Sequence, residues 1–370
     1  MQELFENLLP DYYPRFACKM GRCRTACCDG WPVALSMQDY FRLLGVSCSA
    51  ELRNRLDVAL RVEEQPSPEK YAEINHRYDG SCPLRLPDGR CAVHAELGEQ
   101  ALPAVCRLYP RAVRAEGERE RSCAGSCEAV VELLLRRPGP IRFVRRDYPD
   151  ETPQAPGRTR FFENGSGAQR LRMELIGVVQ NRSLPLPLRL LELGRRLGVS
   201  VPDNLTGSGS PSADDLMLGL RTVARMTELI DRRSESLRAY GDEALAFFGG
   251  EAQALERYAQ AKRRFEAAFP DWESFCENLL VNHMFFSRFP FADGGESPED
   301  EFFGICAVYA LLRFLFVGWM GQHEGEDALV DVVAAAFRLI DHTLFHRSAA
   351  YILRELDCDT PERLLPVLLL

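Results

Sequence analysis

The cysteines are the feature that most limits how this chain can fold. Ten of the thirteen lie at or before residue 127, and the stretch Cys23–Cys28 holds three of them, two adjacent. Adjacent cysteines rarely pair with each other, because a vicinal disulfide strains the backbone. The first residues include Glu3 and Glu6 and no long apolar stretch, so we expect no secretory signal and a cytoplasmic location. In a reducing cytoplasm, a dense cysteine cluster favours metal binding over disulfides.

The spacing of the cysteines indicates the class of metal and leaves the ligand set open. Soft thiolates favour zinc, copper(I) or an iron–sulfur cluster, and turn residues such as Gly21, Gly80 and Gly89 let the chain curl around a centre. The chain lacks the paired C-x2-C knuckles typical of zinc fingers, so we predict an iron–sulfur centre, with 4Fe-4S favoured and zinc as the alternative. The candidate ligands are Cys18, Cys23, Cys27, Cys28, Cys82, Cys91, Cys106 and Cys127. One centre with additional structural thiols and two separate centres both remain open.

Hydrophobic periodicity predicts a mainly α-helical protein in three parts. Residues 1–135 form a cysteine-rich metal-binding domain with few short strands. Residues 136–165 form a connector rich in proline and arginine, and residues 166–370 form an all-helical body. Within the first part, the spacing predicts a helix over Leu35–Gly45 with Ser36 as its N-terminal cap.

Charge and hydropathy limit the partners that the chain can have. The formal net charge of -9 argues against nonspecific nucleic-acid binding. The longest apolar run, Phe303–Met320, is interrupted by Arg313, so it is predicted to be a buried helix and not a membrane span. The sequence is compatible with a homo-oligomer. Four of the other five cysteines are interpreted as buried packing residues: Cys48, Cys276, Cys306 and Cys358.

Four segments carry a likeness to a known family. They are FACKMGRCRTACCDGW at 16–31, SCPLRLPDGRC at 81–91, LGEQALPAVCRLYPR at 97–111 and CENLLVNHMFFSRFPF at 276–291. These segments resemble the flagellin lysine-N-methylases, within the broader cysteine-cluster proteins described as zinc- or iron-chelating. The family commonly continues with Ser-Cys-Pro-Glu, whereas this chain has Ser126-Cys127-Glu128 and an additional Cys123. This departure leaves open whether Cys127, Cys123 or neither is a ligand.

The resemblance implies an enzyme that transfers methyl groups from S-adenosylmethionine to lysine ε-amines of flagellin. It also implies an iron–sulfur or zinc centre held by the N-terminal cysteines. Methyl transfer to nitrogen is a displacement at a sulfonium methyl, so such an enzyme must supply a neutral amine and an in-line arrangement. Two alternatives that need no methyl transfer are a metal-binding or redox-sensing protein and an interaction scaffold stapled by zinc.

The candidate site residues are polar groups in unusual positions. No strand followed by a glycine-rich loop marks a Rossmann-type nucleotide site, and Glu163–Gly167 is interpreted as a turn. The cofactor candidates are polar residues in otherwise apolar helices: Gln180, Asn181, Asn278 and Asn282. The same pattern singles out Glu277, Arg338, Asp341 and His342. For each of these residues the alternative is a satisfied buried hydrogen bond.

The segment CRLYPR provides the catalytic candidates. It places Arg107, Tyr109 and Arg111 directly after the candidate ligand Cys106, so these side chains could line a site beside the metal. The alternative is that the two arginines only balance the negative charge of the thiolates.

Overall fold

A computed structural model describes residues 3–25, 27–28, 33–114, 119–149, 167–202, 212–230, 235–291 and 297–370. Most of the predicted connector, residues 150–165, lies outside the described residues, as does most of the turn predicted at Glu163–Gly167. The described parts of the chain contain two small sheets and fifteen α-helices. The prediction of a mainly α-helical fold is therefore confirmed.

The first sheet joins the start of the chain to the end of its cysteine-rich part. Its strands are β1 (Leu4–Pro10), β5 (Arg111–Arg114), β6 (Glu120–Cys123) and β7 (Phe143–Pro149), in the order β5-β6-β1-β7. Strand β1 runs antiparallel to β7 along its whole length and parallel to β6. The second sheet has the order β2-β4-β3 and consists of β2 (Ala34–Leu35), β3 (Leu60–Val62) and β4 (Ala72–Ile74).

Short helices connect the strands of the cysteine-rich part. They are α1 (Met37–Gly45), α2 (Ala50–Ala59), α3 (Ala92–Leu97), α4 (Ala104–Leu108) and α5 (Glu128–Leu135), with 3-10 turns at Tyr13–Arg15 and Glu99–Ala101. Helix α1 begins after Ser36, whose side chain accepts a hydrogen bond from the Asp39 amide at 3.1 Å. The predicted helix and its cap are thus confirmed.

The remaining helices form the helical body, a name used here for α6 to α15. Their bounds are α6 (Gly167–Val179), α7 (Leu186–Arg196), α8 (Ala213–Thr227), α9 (Glu235–Phe248), α10 (Glu251–Ala268), α11 (Trp272–Phe286), α12 (Pro298–Met320), α13 (Gly325–His342), α14 (Phe345–Glu355) and α15 (Pro361–Leu368). Within its described residues this body is all helical, as its periodicity predicts.

The buried apolar residues that the structure describes form two hydrophobic cores. The smaller core lies between residues 33 and 102, and the half-buried cysteines Cys28, Cys91 and Cys106 pack against it. The larger core joins the helical body to residues 8–16 and 123–141. Strand β1 and helix α5 therefore pack with the helical body, although both lie before the boundary predicted at residue 135.

Strand β7 lies inside the predicted connector. Its sequence FVRRDYP does not alternate apolar and polar residues, and its three central residues Arg145, Arg146 and Asp147 are exposed. The strand forms because its backbone pairs with β1 over seven consecutive residues. The periodicity of a sequence does not reveal a pairing partner that lies more than 130 residues away.

Helix α12 is the central helix of the larger core. It is long and apolar enough to cross a membrane by composition, yet 94% of its most apolar window is buried inside the protein. Arg313 is buried with it and donates to the Leu370 carbonyl at 2.9 Å and to Glu266 at 3.0 Å. Its guanidinium also lies 3.7 Å from the centre of the Trp272 ring. The protein itself therefore covers the apolar surface of this helix, as predicted.

Candidate functional site

Five thiols from three separate segments meet beside the smaller core; we call them the first thiol group. Cys28 is in hydrogen-bonding contact with the thiols of Cys27 and Cys82, and these contacts raise the pKa of Cys28 far above its usual value. The pKa of Cys106 is raised well above its ordinary value by burial and by the negative charges of Cys91, Cys27 and Cys82. Burial and the charges of Cys82 and Cys27 likewise raise the pKa of Cys91.

A second thiol group, Cys18, Cys23 and Cys127, lies against the helical body and meets the first group at Cys27. Burial, followed by the charge of Glu128, raises the pKa of Cys23 to about 11, and Cys18 and Cys27 add to this effect. Burial also raises the pKa of Cys127 to about 12, with contributions from Cys23 and Cys27. All eight candidate ligands therefore lie in these two adjoining groups.

Two glycines allow the loops that carry these thiols to approach closely. Gly21 and Gly89 both have positive φ, at 89° and 86°. A Cβ atom on Gly89 would lie 2.3 Å from the Gly21 carbonyl oxygen, so a side chain at this position is excluded. The loop between Cys18 and Cys23 thus contacts the turn between Cys82 and Cys91 backbone to backbone. The predicted role of Gly21, Gly80 and Gly89 as turn residues is confirmed by their positive φ.

The donor chemistry of the thiol groups fits a metal centre, although their geometry is not that of a coordination sphere. Among the described residues, no three or more His, Cys, Asp or Glu side chains are arranged as they would be around a bound metal ion. Hydrogen bonds to Cys27 and Cys82 raise the pKa of Cys28, and burial followed by the charges of neighbouring thiols raises the pKa of Cys106. A metal ion or iron–sulfur cluster would favour the thiolate forms, and sulfur is the ligand that both prefer.

Tyr109 links the thiol groups to the helical body. Its hydroxyl donates a hydrogen bond to Ser126 Oγ at 3.0 Å, and Ser126 Oγ lies 2.9 Å from His342 Nε2. Burial raises the pKa of Tyr109 well above its usual value, and the negative charge of Cys127 raises it further. The protein surroundings of His342 lower its pKa by desolvation, and the residue as a whole is exposed at the surface. Tyr109, Ser126 and His342 therefore form a hydrogen-bonded chain that reaches the surface.

Asp341 fixes the turn that carries Ser126. Its fully buried carboxylate accepts a hydrogen bond from the Gly125 amide at 2.8 Å and contacts His283 Nδ1 at 2.8 Å. A Cβ atom on Gly125 would lie 2.8 Å from the Phe337 ring, so only glycine fits here without a shift. The turn between β6 and α5 is thereby held by two consecutive residues of α13, Asp341 and His342.

The catalytic candidates do not stay together in the structure. Tyr109 joins the hydrogen-bonded chain to His342. Arg111 pairs with Cys123 in the first sheet, and its guanidinium lies 4.9 Å from the centre of the Phe16 ring. Arg107 donates to the Gln100 side chain at 3.4 Å on the exposed side of α4. Of the three, Tyr109 alone contacts the Ser126–His342 pair.

Two of the cofactor candidates contact carbonyls of the same short segment, 139–141, while the other two have different partners. Gln180 donates to the Ile141 carbonyl at 2.9 Å, and Asn278 approaches the Gly139 carbonyl at 3.5 Å. Asn282 accepts from the Tyr12 hydroxyl and donates to the Cys123 carbonyl at 3.0 Å. Asn181 is exposed and accepts from the Ser183 hydroxyl within its own turn.

Three of these four candidates hold neighbouring segments of backbone, and none lines the surface cavity of about 460 Å³ beside α9 and α10.

Sequence reasoning missed Ser126 and His283. Ser126 lies in the segment SCEAV, in which only the neighbouring Cys127 was predicted to be a functional residue. His283 follows Asn282 in the apolar helix α11 and is 4% exposed. A histidine within an apolar helix is the sequence signal by which this residue could have been identified. Both residues acquire their partners across more than 50 positions of sequence, so their contacts depend on the fold.

Glu277 is a structural anchor, and its loss has a predictable cost. Its fully buried carboxylate receives two hydrogen bonds from Arg182, both at 2.9 Å, and one from Arg189 at 2.7 Å. Removing one member of a buried ion pair leaves an uncompensated charge. We expect Glu277→Ala to lower the free energy of unfolding by about 3–5 kcal/mol in urea titrations.

An exposed pair on a neighbouring helix is the control for this experiment. Glu174→Ala removes a partner that lies 3.9 Å from Arg170 with most of its surface in solvent. This change should cost at most about 1 kcal/mol. Equal losses in Glu277→Ala and Glu174→Ala would contradict the anchoring role.

Comparisons with known proteins bear on the helical body. Residues 211–367 match the FliB lysine N-methylase C-terminal domain. The chain is 26% identical over 145 residues to lysine-N-methylases of Salmonella typhimurium and Salmonella choleraesuis, which is 39% of this chain and 36% of each relative. It is 28% identical over 132 residues to the flagellar biosynthetic protein FliU of Salmonella muenchen, which is 35% of this chain and 76% of that protein.

These matches cover only part of this chain and only part of the lysine-N-methylases. The chain spans 36% of the length of the lysine-N-methylases that it matches. No solved structure matches the chain significantly. The family match includes His283, Asp341 and His342, while Tyr109 and all eight candidate metal ligands lie before it. It therefore describes one side of the site, the side formed by α11 and α13.

Proposed function

We propose that this protein transfers methyl groups from S-adenosylmethionine to lysine ε-amines of flagellin, because residues 211–367 match the FliB lysine N-methylase C-terminal domain. The names of its relatives, lysine-N-methylase and a flagellar biosynthetic protein, support the reaction and the substrate class. The observation that carries the proposal is the chain Tyr109–Ser126–His342, in which the family domain meets the cysteine-rich part.

The reaction needs a base for the lysine side chain. S-adenosylmethionine supplies an electrophilic methyl group, whose bond to sulfur breaks with the electron pair remaining on sulfur as the amine nitrogen forms its new bond. An ε-ammonium is protonated at neutral pH and has no free electron pair, so it must lose a proton first. Tyr109 can accept this proton on its oxygen while its own hydroxyl proton passes to Ser126, and the Ser126 proton passes to His342 Nε2.

His342 suits the end of this chain of proton transfers. Its lowered pKa keeps the imidazole neutral at neutral pH, so the electron pair on Nε2 is available to accept a proton. Part of the residue is exposed, so the proton can leave to solvent after each turnover. Asp341 holds the turn that positions Ser126 between Tyr109 and His342.

We further propose that four of the five thiols of the first group (Cys27, Cys28, Cys82, Cys91 and Cys106) hold a 4Fe-4S cluster, with zinc as the alternative metal. The contact of Cys28 with Cys27 and Cys82 supports this assignment. Such a centre would cross-link three segments around the smaller core and offset the repulsion among thiolates. The second thiol group provides the ligands for another centre, if two are present.

Methylation of flagellin tests the proposed function. The protein is purified without oxygen and incubated with S-adenosylmethionine and flagellin, and the intact mass of flagellin is measured. Mass increments of one methylene unit each, mapped to lysines, support the proposal. An unchanged flagellin mass under every reducing condition would contradict the proposed methyltransferase activity.

A metal-binding or redox-sensing protein without methyl transfer is the second candidate. The position of the candidate metal ligands outside the matched family domain favours it, since these thiols need not serve a methylase. Such a protein would bind iron or zinc and leave flagellin unmodified. Iron, sulfide and zinc analyses of the same preparation, together with the flagellin mass, distinguish the two functions.

A further inference from the structure

One buried carboxylate holds the loop that carries the densest cysteines. Glu128 Oε1 accepts hydrogen bonds from the Thr25 amide at 2.7 Å and the Thr25 hydroxyl at 2.9 Å. Glu128 Oε2 accepts from the Arg24 amide and from Lys19 Nζ, both at 3.2 Å. The Glu128 side chain is 1% exposed. Glu128 is the first residue of helix α5, which packs in the larger core. A single side chain of α5 thus satisfies four donors of the Cys18–Cys28 loop.

Salt bridges around Glu128 attach the same loop to α13 and to the next turn of α5. Arg24 contacts Asp327 at 2.8 Å and Asp331 at 2.7 Å. Lys19 contacts Glu132 at 2.7 Å. These bonds come from long, partly exposed side chains, whereas Glu128 also binds the backbone. Since a side chain can move while its backbone stays in place, Glu128 has the stronger effect on the path of the chain.

The two amides that Glu128 binds lie between Cys23 and Cys27. Arg24 directly follows Cys23, and Thr25 stands two residues before Cys27. Cys28 packs against the smaller core, and its carbonyl oxygen lies 2.7 Å from His76 Nε2. Because Glu128 holds residues 24–25 from the side of the larger core, their displacement would move the loop that carries Cys23, Cys27 and Cys28.

We infer that Glu128 is a positioning residue that fixes the Cys23–Cys28 loop against the helical body so that both thiol groups can bind metal. The inference rests on the proposed metal centre, and it adds a residue outside the sulfur ligands on which that centre depends. Groups that orient metal ligands through hydrogen bonds typically change metal affinity by about 10–100-fold when they are replaced. The structure assigns that role to the Glu128 carboxylate.

Glu132 provides a matched control for the test. It lies one turn further along α5 and contacts the loop through the Lys19 side chain, at 2.7 Å, whereas Glu128 also accepts from backbone amides. Glu128→Gln, Glu128→Ala and Glu132→Gln are purified without oxygen, and their iron, sulfide and zinc contents are measured. The visible spectrum and the rate of metal release to a chelator are recorded for each variant.

We expect Glu128→Gln to release metal at least about tenfold faster than the unchanged protein, and Glu128→Ala faster still. Glu132→Gln should behave like the unchanged protein. Thermal unfolding of the helical body should remain similar in Glu128→Gln, which separates a shift in metal affinity from general unfolding. Metal content and release rates equal to those of the unchanged protein in both Glu128 variants would overturn the inference.

A second readout keeps the test informative if the unchanged protein holds no metal. In that case the proposed centre is wrong, and thiol accessibility decides the role of Glu128 separately. Peptide-resolved alkylation of Cys23 and Cys28 should be severalfold faster in Glu128→Gln than in Glu132→Gln, with Cys48 as the internal reference. Equal alkylation rates at Cys23 and Cys28 in these two variants would show that Glu128 does not hold the loop.

Discussion

Replacing Cys27 and Cys28 together by serine should remove the bound metal and destabilise the cysteine-rich part. Cys28 contacts two other thiols, and Cys27 connects both thiol groups, so the double change removes the shared members of the cluster. The smaller core is built from thirteen buried hydrophobic residues, which is a modest core for a segment of this length. Structural metal can contribute about 10–16 kcal/mol to the folding of such a segment.

The measurements are metal content after anaerobic purification and limited proteolysis of the cysteine-rich part. We expect little or no metal in Cys27→Ser/Cys28→Ser, together with rapid cleavage within residues 33–106. Cys48→Ser is the control, because Cys48 packs on the same core and is not among the candidate ligands. Full metal content in the double variant would refute the role of both cysteines.

Replacing Tyr109 by phenylalanine should lower the rate of methyl transfer by about 10²–10⁴-fold, the usual contribution of a positioned acid or base. The change removes the hydroxyl that bonds to Ser126 and leaves the ring beside His342, whose centroid lies 6.4 Å away. The metal content should not change, since the tyrosine is not a candidate ligand. The turnover number for flagellin, measured at saturating S-adenosylmethionine, reports this loss.

Tyr351→Phe is the matched control for Tyr109→Phe. Tyr351 is 65% exposed on α14, so losing its hydroxyl should leave the turnover number unchanged. His342→Ala removes the far end of the same chain and should reduce the rate as Tyr109→Phe does. Normal turnover in both Tyr109→Phe and His342→Ala would exclude the proposed route for the lysine proton.

The sequence predicts the parts of the fold that depend on local pattern. Apolar residues at helical spacing predict the helices of the helical body, and Ser36 predicts the start of α1. Arg313 within Phe303–Met320 correctly indicates a protein core and not a membrane, because the structure gives that buried guanidinium two acceptors within the protein, the Leu370 carbonyl and Glu266. The order of the cysteines also predicts which segments come together, since Cys28 contacts Cys82 across more than 50 residues.

Contacts between distant segments account for what the sequence does not predict. Strand β7 depends on pairing with β1, and its exposed arginines hide the strand among solvated residues. Asn181 and Asn282 look alike as polar residues in apolar surroundings, yet the first lies in an exposed turn and the second in the core. The contact of Asp341 with Gly125 requires α13 to pack against α5, a relation that no local pattern contains.

The candidate site joins a part of the chain that matches a known family to a part that lies outside that match. Its helical side, with Asp341 and His342, lies within the FliB lysine N-methylase C-terminal domain match, and its tyrosine and thiol side lies before that match. The turn at Gly125 and Ser126 connects the two sides through hydrogen bonds of 2.8 and 2.9 Å. Changes on either side should therefore affect methyl transfer, although only the cysteine side should affect metal binding.

Transfer of an isotope-labelled methyl group from S-adenosylmethionine to flagellin is the decisive measurement for the proposed methyltransferase activity. The unchanged protein and Tyr109→Phe are compared under anaerobic conditions, and labelled lysines are identified by peptide mass spectrometry. We predict label on lysine ε-amines of flagellin with the unchanged protein and a rate lower by about 10²–10⁴-fold with Tyr109→Phe. Flagellin that remains unlabelled by a fully metal-loaded, folded protein would contradict the account.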